Sequence, residues 1–168
     1  MENLKTLNTT LLLILKDKKI LLAEKKRGFA MGKFNGIGGK QDAGETIEEA
    51  MIRETKEEIN VLPKNYKQVG LIHFDVWYKG ERVNLNLNIF TCTDYIGEIS
   101  ETEEMRPVWF SIENIPYEKM LEDDLLWLPL VLDGKNVAGS VKFNKDLNME
   151  YNTIHAVNKF DEEEQKLL

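Results

Sequence analysis

The stretch of sequence that decides the fold is residues 39–61, GKQDAGETIEEAMIRETKEEINV. Thr46 and Glu49 fit a capping box, in which each side chain satisfies a free backbone N–H of the other residue. Asn60 tolerates the left-handed conformation that ends many helices. The sequence therefore predicts a helix over Thr46–Ile59, and Pro63 should prevent the helix from continuing.

Three apolar residues of this helix share one stripe at about 100° per residue: Ile47, Ala50 and Met51. The stripe continues into Glu54 and Glu58, and Glu57 lies on its flank. Packing like charges against a core is unfavourable unless cations pair with them. Converging carboxylates suit a hard cation such as magnesium or manganese. The alternative is an acidic face that simply stays in water.

Around this helix, alternating apolar residues and turn residues predict a sheet. The predicted elements are two hairpins, a short strand, a second helix and two late strands: Thr9–Leu15 with Ile20–Glu24, Val69–Tyr78 with Arg82–Thr93, Val108–Ser111, Asp123–Leu132, Ser140–Asn144 and Met149–Ala156. The glycine-rich segment Lys25–Lys40 should be mostly loop. The prediction is an α+β domain, a sheet with two helices packed on it, spanning residues 1–168 with a flexible acidic tail at about 160–168.

Composition narrows the function classes. The chain has 168 residues, 42% of them hydrophobic, and a net charge of -7. This charge disfavours a nucleic acid polymer as partner, and an acidic protein that binds an anion needs bridging cations. No apolar run approaches the ~20 residues of a membrane helix, and the first residues do not resemble a signal peptide. The single cysteine, Cys92, fits a reducing compartment, so we expect a cytoplasmic protein without a membrane partner.

The acids of the helix stand at the spacing of a known motif. Gly39, Glu45, Arg53-Glu54, Glu57-Glu58 and Val61 match seven of the nine specified positions of the Nudix box, G-x5-E-x7-R-E-U-x-E-E-x-G-U, where U is a bulky aliphatic residue. Thr55 and Asn60 depart from it, and neither replaces a carboxylate. Residues 25–29, 34–40, 104–110 and 123–129 further resemble the oxidised purine nucleoside triphosphatases of the Nudix family. The similarity covers roughly residues 9–155 and implies an α/β/α sandwich around a mixed sheet.

The resemblance implies magnesium-dependent hydrolysis of oxidised purine nucleoside triphosphates, such as 8-oxo-dGTP, to the monophosphate and pyrophosphate, an activity that sanitises the nucleotide pool. Mn²⁺ is an alternative ion. By resemblance, Glu54, Glu57, Glu58 and Glu104 are catalytic and, with the backbone carbonyl of Gly38, hold the metal. One of these acids would be the general base. A monomer is expected.

Substrate contacts are also implied by resemblance. They fall on Thr10, Lys25, Phe29, Asn35, Ile37, Gly38, Gly39, Lys40, Phe74, Asp123, Asp124 and Trp127. Adjacent carboxylates tend to share one proton, so the pair Asp123-Asp124 would offer both a donor and an acceptor to a base. Without the resemblance, the two aspartates fit an ordinary helix N-cap and the two lysines fit exposed surface charges.

Two departures bear on the substrate. Leu121 stands where the related animal enzymes have tryptophan, and the Asn-rich hairpin leaves the counterpart of one apolar pocket residue uncertain between Leu85 and its neighbours. Two alternatives therefore stay open. One is a Nudix enzyme for another nucleoside triphosphate or a nucleotide sugar, and the other is a non-catalytic nucleotide-binding module.

Overall fold

The computed structural model describes residues 3–158. It contains nine strands and two α-helices, in the order β1 Thr6–Lys16, β2 Lys19–Lys25, β3 Phe34–Asn35, α1 Ile47–Ile59, β4 Val61–Tyr78, β5 Glu81–Gly97, β6 Met105–Ser111, α2 Asp124–Leu132, β7 Asn136–Phe143, β8 Met149–Asn152 and β9 His155–Val157. A single 3-10 turn covers Tyr117–Lys119. The predicted tail at 160–168 lies outside the described residues. Among those described, no helix is long and apolar enough to cross a membrane.

The strands form one mixed sheet in the order β3-β2-β1-β5-β4-β7-β8, with β6 also paired to β2 and β9 to β7. The β1–β5 and β4–β7 pairs are parallel, and the other pairs are antiparallel. The β4–β5 hairpin turns on Lys79 and Gly80, whose φ angles of 51° and 79° are those of a two-residue turn that matches strand twist.

Alternation along β1 divides the core between the two faces of the sheet. Leu12 and Ile14 belong to a buried cluster with Met51 of α1, whereas Leu11 and Leu13 belong to a second cluster with Trp127 of α2. Successive strand side chains point to opposite faces, so each helix covers one face. The predicted α+β class and the α/β/α arrangement are confirmed.

The predicted bounds of the central hairpin were too short. β4 starts at Val61, directly after α1, and Pro63 pairs with Tyr95 inside the strand. Proline is tolerated there because this part of β4 pairs with β5 alone, and β7 joins β4 only from Gly70 onward.

The glycine-rich segment is anchored to two strands that diverge. β1 and β2 pair only near their hairpin turn. Beyond it, Phe34 and Asn35 pair with β2, while Ile37 and Lys40 form bridges to β1. The segment 36–40 is therefore held between β2 and β1, where these two strands no longer pair with each other.

Candidate active site

Helix α1 carries the acidic residues, and its ends fix their direction. The Thr46 hydroxyl accepts from the Glu49 N–H at 3.1 Å, and the Thr46 N–H donates to the Glu49 carboxylate at 3.0 Å. Asn60 closes the helix in the left-handed conformation, with φ of 68° and its N–H donating to the Lys56 carbonyl at 3.0 Å. The predicted helix and its capping box are confirmed, so the register of the acids is set locally.

Two of the acids point inward against the glycine-rich segment. Glu58 is 5% exposed, and its carboxylate accepts from the Gly38 N–H at 3.2 Å. Glu54 approaches Gly39 so closely that a Cβ there would lie 2.3 Å from the Glu54 carboxyl carbon. A side chain at position 39 would therefore displace Glu54.

Burial makes ionisation of both acids unfavourable. Desolvation, followed by the charge of Glu54, raises the pKa of Glu58 to about 8. Desolvation also raises the pKa of Glu54, opposed by the neighbouring Arg53. The charge of Glu104 adds to both shifts, so this third acid lies within electrostatic range. Together these groups form a negative site that a cation would stabilise.

Arg53 links the helix to the preceding loop. Its guanidinium contacts Glu45 at 2.6 Å, Glu54 at 2.9 Å and the Lys40 carbonyl at 2.9 Å. Hydrogen bonding from Arg53 lowers the pKa of Glu45 to about 2. The Glu45 and Arg53 positions of the motif therefore hold the loop and orient Glu54.

The remaining two acids lie at the rim. The Glu57 side chain is 58% exposed and contacts Arg53 at 3.2 Å, while Glu104 is 50% exposed and contacts Arg27 at 3.1 Å. Within residues 3–158, no three His, Cys, Asp or Glu side chains are already close enough to hold a metal ion. The structure thus brings Glu54 and Glu58 together and leaves Glu57 and Glu104 paired with arginines beside them. We call these four acids the carboxylate site.

The chemistry of this site fits a hard divalent cation. Its donors are carboxylate oxygens, the ligand type that magnesium and manganese prefer. Glu58 has no salt bridge among residues 3–158, and the charge of Lys25 opposes the rise of its pKa less than burial and Glu54 promote it, so this buried acid is poorly compensated. A divalent ion would supply the missing positive charge and restore the ionised form of Glu58.

A cavity of about 210 Å³ opens on the other side of the glycine-rich segment. Ten of the predicted substrate residues line it: Thr10, Lys25, Phe29, Asn35, Gly38, Gly39, Lys40, Phe74, Asp123 and Asp124. Ile37 and Trp127 do not, because Ile37 is buried in the core on the α1 side and Trp127 is buried beneath Asp123. Gly39 lines the cavity and also contacts Glu54, so the cavity and the carboxylate site adjoin.

Among residues 3–158, the cavity lining includes buried polar atoms without partners. Asp123 and Asp124 are 3% and 2% exposed, and one carboxylate oxygen of each, with the Thr10 hydroxyl, is buried without a hydrogen bond. Asp123 makes no side-chain capping bond, and its other oxygen accepts from the Trp127 indole N–H at 2.8 Å. Buried polar groups are nearly always paired, so these atoms mark a place for a polar ligand.

The two aspartates titrate together. Burial raises the pKa of Asp123 to about 6, and burial with the charge of Asp123 raises that of Asp124 well above its usual range. Near neutral pH the pair therefore retains a proton, which leaves one donor and one acceptor facing the cavity.

Several lining residues went unnoticed in the sequence. They are Thr9, Leu11, Val76, Tyr78, Leu87, Met105 and Phe143. Alternation could have found two of them, because Val76 and Tyr78 follow Phe74 at steps of two along β4. Leu85, considered as a pocket residue, and Leu121 also line the cavity.

Comparison with known proteins agrees with this geometry. The NUDIX domain family matches residues 5–131. The chain belongs to the Nudix family. As a Nudix hydrolase it is an enzyme of a family that uses divalent metal ions and for which a nucleotide substrate is typical.

Curated Nudix relatives cover most of the chain. The oxidized purine nucleoside triphosphate hydrolase of Danio rerio is 44% identical over 134 residues, 80% of this chain and 85% of its own length. The protein of the same name from Mus musculus is 39% identical over 152 residues, 90% of this chain and 96% of its own length. The ADP-ribose pyrophosphatase of Methanocaldococcus jannaschii is 31% identical over 122 residues, 68% of this chain and 70% of its own length.

A solved structure supports the Nudix fold. The MutT protein of Bacillus halodurans superposes with a TM-score of 0.78 at 24% identity, covering 88% of this chain and 97% of its own. At that identity the likeness concerns the fold, and substrate has to be argued from the cavity and the carboxylate site.

Proposed function

We propose that the protein hydrolyses oxidised purine deoxynucleoside triphosphates, such as 8-oxo-dGTP, to the monophosphate and pyrophosphate. The observation that carries this proposal is the set of buried, unpartnered polar atoms of Thr10, Asp123 and Asp124, which line the same cavity as Gly39. Gly39 also contacts Glu54, so a base bound at the aspartates would leave the phosphates to lie toward the carboxylate site. The names of the relatives from Danio rerio and Mus musculus support the same substrate class.

We propose Mg²⁺ as the resident ion, with Mn²⁺ as an alternative. Glu54, Glu57, Glu58, Glu104 and the Gly38 carbonyl would hold it. When bound, the ion neutralises charge on the phosphates and lowers the pKa of the attacking water. To bind the ion, Glu57 would give up its contact with Arg53, and Glu104 would give up its contact with Arg27.

The chain's own groups supply the remaining chemistry. One acid of the carboxylate site takes the proton of the attacking water, and the sequence leaves open which of the four. Gly38 packs against the Thr10 backbone and Gly39 against the Glu54 carboxylate, which holds this segment between the cavity and the carboxylate site, where the phosphates would lie. Lys25 and Lys40, which line the cavity, place positive charge on the phosphate path.

The aspartate pair would recognise the base. A protonated carboxyl donates and an ionised one accepts, so Asp123 and Asp124 can match a purine edge that presents one acceptor and one donor. If the proton moves from one aspartate to the other, the positions of donor and acceptor are reversed. The pair could then bind more than one oxidised purine. The pair lies in an apolar, buried setting where a mismatched base leaves charged groups unpaired and is rejected.

The alternative substrate class is a nucleotide linked to a sugar, which the ADP-ribose pyrophosphatase of Methanocaldococcus jannaschii suggests at lower identity. The alternative of a non-catalytic binding module does not explain why Gly39 leaves space for the Glu54 carboxylate. We therefore favour catalysis on a purine triphosphate.

A nucleotide panel tests this proposal. The protein is incubated with Mg²⁺ and oxidised dGTP, oxidised dATP, dGTP, dATP or ADP-ribose, and the products are identified. We expect the highest kcat/KM on an oxidised purine, with monophosphate and pyrophosphate as products. A preference for undamaged nucleotides or ADP-ribose would overturn the substrate assignment, and tight binding without turnover would favour the binding module.

The same panel, run on two variants, tests base recognition. Asp123→Asn and Asp124→Asn should each lower kcat/KM on the oxidised purines, because a carboxamide cannot alternate between the two proton states. If both variants kept wild-type values on oxidised dGTP and dATP, the aspartate pair would not be the base-recognition element.

We further propose that the enzyme is a single-domain monomer of the cytoplasm. Cys92 is buried as a free thiol, as suits a reducing compartment. Light scattering that gave twice the mass of 19.5 kDa would contradict the monomer.

A further inference from the structure

Strand β4 ends at the mouth of the cavity, and one side of it faces inward. Phe74, Val76 and Tyr78 all line the cavity, at steps of two along the strand. Trp77 points to the other face, where Lys145 lies 4.3 Å from its ring centroid. Tyr78 is the last inward residue before the tight turn at Lys79 and Gly80, so a short hairpin fixes its backbone.

The Tyr78 ring joins separate segments around the opening. Its centroid lies 6.0 Å from that of Phe29, tilted by 60°, and Phe29 belongs to the loop after β2. The Nζ of Lys40, at the end of the glycine-rich segment, lies 4.5 Å from the Tyr78 centroid. The ring thus contacts two of the predicted substrate residues, Phe29 and Lys40, which belong to different segments.

The aromatic residues of the cavity fall into two groups. Phe74 and Phe143 are buried and lie parallel with centroids 6.2 Å apart, so each ring already has an aromatic neighbour. Phe29 and Tyr78 are only partly buried and stand at the mouth. Purines bind well against aromatic rings, and these two rings still have surface to cover.

We propose that Tyr78 is a nucleotide-contacting residue of this enzyme, forming with Phe29 the aromatic wall against the nucleoside and holding Lys40 on the phosphate side. This assignment rests on the proposed function. Tyr78 would give the hairpin end of β4 a part in substrate selection. It supplies an aromatic contact, which Leu121, an aliphatic residue of the same cavity, does not. The contact with Phe29 uses the ring alone, whereas Lys40 interacts with both the ring and the hydroxyl of Tyr78. Tyr78→Phe therefore keeps the aromatic wall and removes only the contact of the hydroxyl with Lys40.

The test compares three variants in a binding assay that needs neither metal nor turnover. Calorimetry measures the affinity of wild type, Tyr78→Leu, Tyr78→Phe and Trp77→Leu for three nucleoside monophosphates: oxidised dGMP, dGMP and AMP. We expect Tyr78→Leu to weaken binding about tenfold, as the loss of one base–ring contact does. Tyr78→Phe should restore it, and Trp77→Leu, on the same strand but the other face, should match wild type.

Steady-state kinetics give the second readout. Tyr78→Leu should raise KM by a similar factor while kcat stays within about twofold, because the ring touches bound nucleotide and not the reacting phosphorus. Wild-type affinity and KM in Tyr78→Leu, an equal loss in Trp77→Leu, or no monophosphate binding by the wild type would each overturn the assignment. Failure of the hydrolysis panel with an intact binding pattern would instead overturn only the proposed reaction.

Discussion

Two pairs of acids lie on opposite faces of the same sheet, and their surroundings differ. Glu58, Asp123 and Asp124 are buried, and Glu54 is partly buried. Glu54 and Glu58 face the glycine-rich segment, with a backbone N–H, an arginine and two further acids nearby. Asp123 and Asp124 lie in an apolar cavity wall, where the donors to them are the Trp127 indole and backbone N–H groups. Burial raises the pKa of the acids in both pairs.

What separates the two pairs is the species that relieves the unfavourable charge. More carboxylates gather around the glutamates, which makes a divalent cation the fitting partner. The charge of one aspartate acts on the other, so a shared proton relieves the pair and leaves a donor and an acceptor for a base. Residue type alone does not decide the role of a buried acid, and its neighbours do.

The largest effect is expected where the cation would bind. Glu58→Gln should lower kcat by about 10²–10⁴-fold, because it removes a charge that both metal binding and proton transfer would use. It should also abolish the rise in Tm that Mg²⁺ gives the wild type, while the Tm in EDTA stays unchanged or increases, since a neutral amide replaces a desolvated acid. Kinetics and thermal unfolding with and without Mg²⁺ measure both.

Glu48→Gln is the matched control for this prediction. Glu48 lies on the exposed side of the same helix, so its variant should keep wild-type turnover and the full response to Mg²⁺. Turnover within about tenfold of wild type in both Glu58→Gln and Glu57→Gln would contradict the metal role of the carboxylate site.

The next effect concerns the residue that separates the two regions. Gly39→Ala would place a Cβ 2.3 Å from the Glu54 carboxyl carbon, so Glu54 must move while the aspartates stay in place. Because misplacing a catalytic group by about 1 Å can cost up to 10²-fold, we expect kcat to fall about 10- to 100-fold. Affinity for a purine monophosphate should stay near wild type. An equal loss in kcat and in affinity for the monophosphate would mean that Gly39→Ala disturbs the cavity as well as the carboxylate site.

The sequence predicts these two regions unequally. Helix α1 follows from local signals, since the Thr46–Glu49 box and the apolar stripe fix its register and therefore the direction of Glu54 and Glu58. The aspartate pair could be predicted only from the family resemblance. Its local pattern fits a helix N-cap, and the burial that sets its role comes from strands distant in sequence.

The remaining differences also come from long-range pairing. Pro63 is compatible with β4 because β7 begins to pair only at Gly70, which the sequence around Pro63 does not reveal. Ile37 and Trp127 resemble wall residues by type, but the fold buries both outside the cavity lining. Their predicted contact with substrate stays a prediction. Tyr78 follows from alternation once Phe74 is placed.

The smallest effect is a pH-dependent change in folding stability, which distinguishes the aspartate pair from the glutamate pair. In the folded protein the pKa of Asp124 is well above its ordinary value of 3.8. Below about pH 4 the residue is protonated in both the folded and the unfolded state. As the pH rises, the unfolded chain ionises freely while the folded one keeps the proton or buries a charge, so folding stability decreases. Asparagine cannot ionise and avoids this loss.

Asp124→Asn should therefore unfold at a higher Tm than wild type, by a few degrees at pH 8 and by almost nothing near pH 4, at about 2–4 °C for each kcal/mol regained. Thermal unfolding of the metal-free protein across this range measures the difference. Asp146→Asn, in the exposed turn between β7 and β8, is the control and should keep the wild-type Tm because this side chain lies at the surface. A lower Tm for Asp124→Asn at pH 8 would mean that the ionised aspartate is stabilised in the fold. The aspartates would then resemble the glutamates in needing a cation, and the contrast between the two faces would be lost.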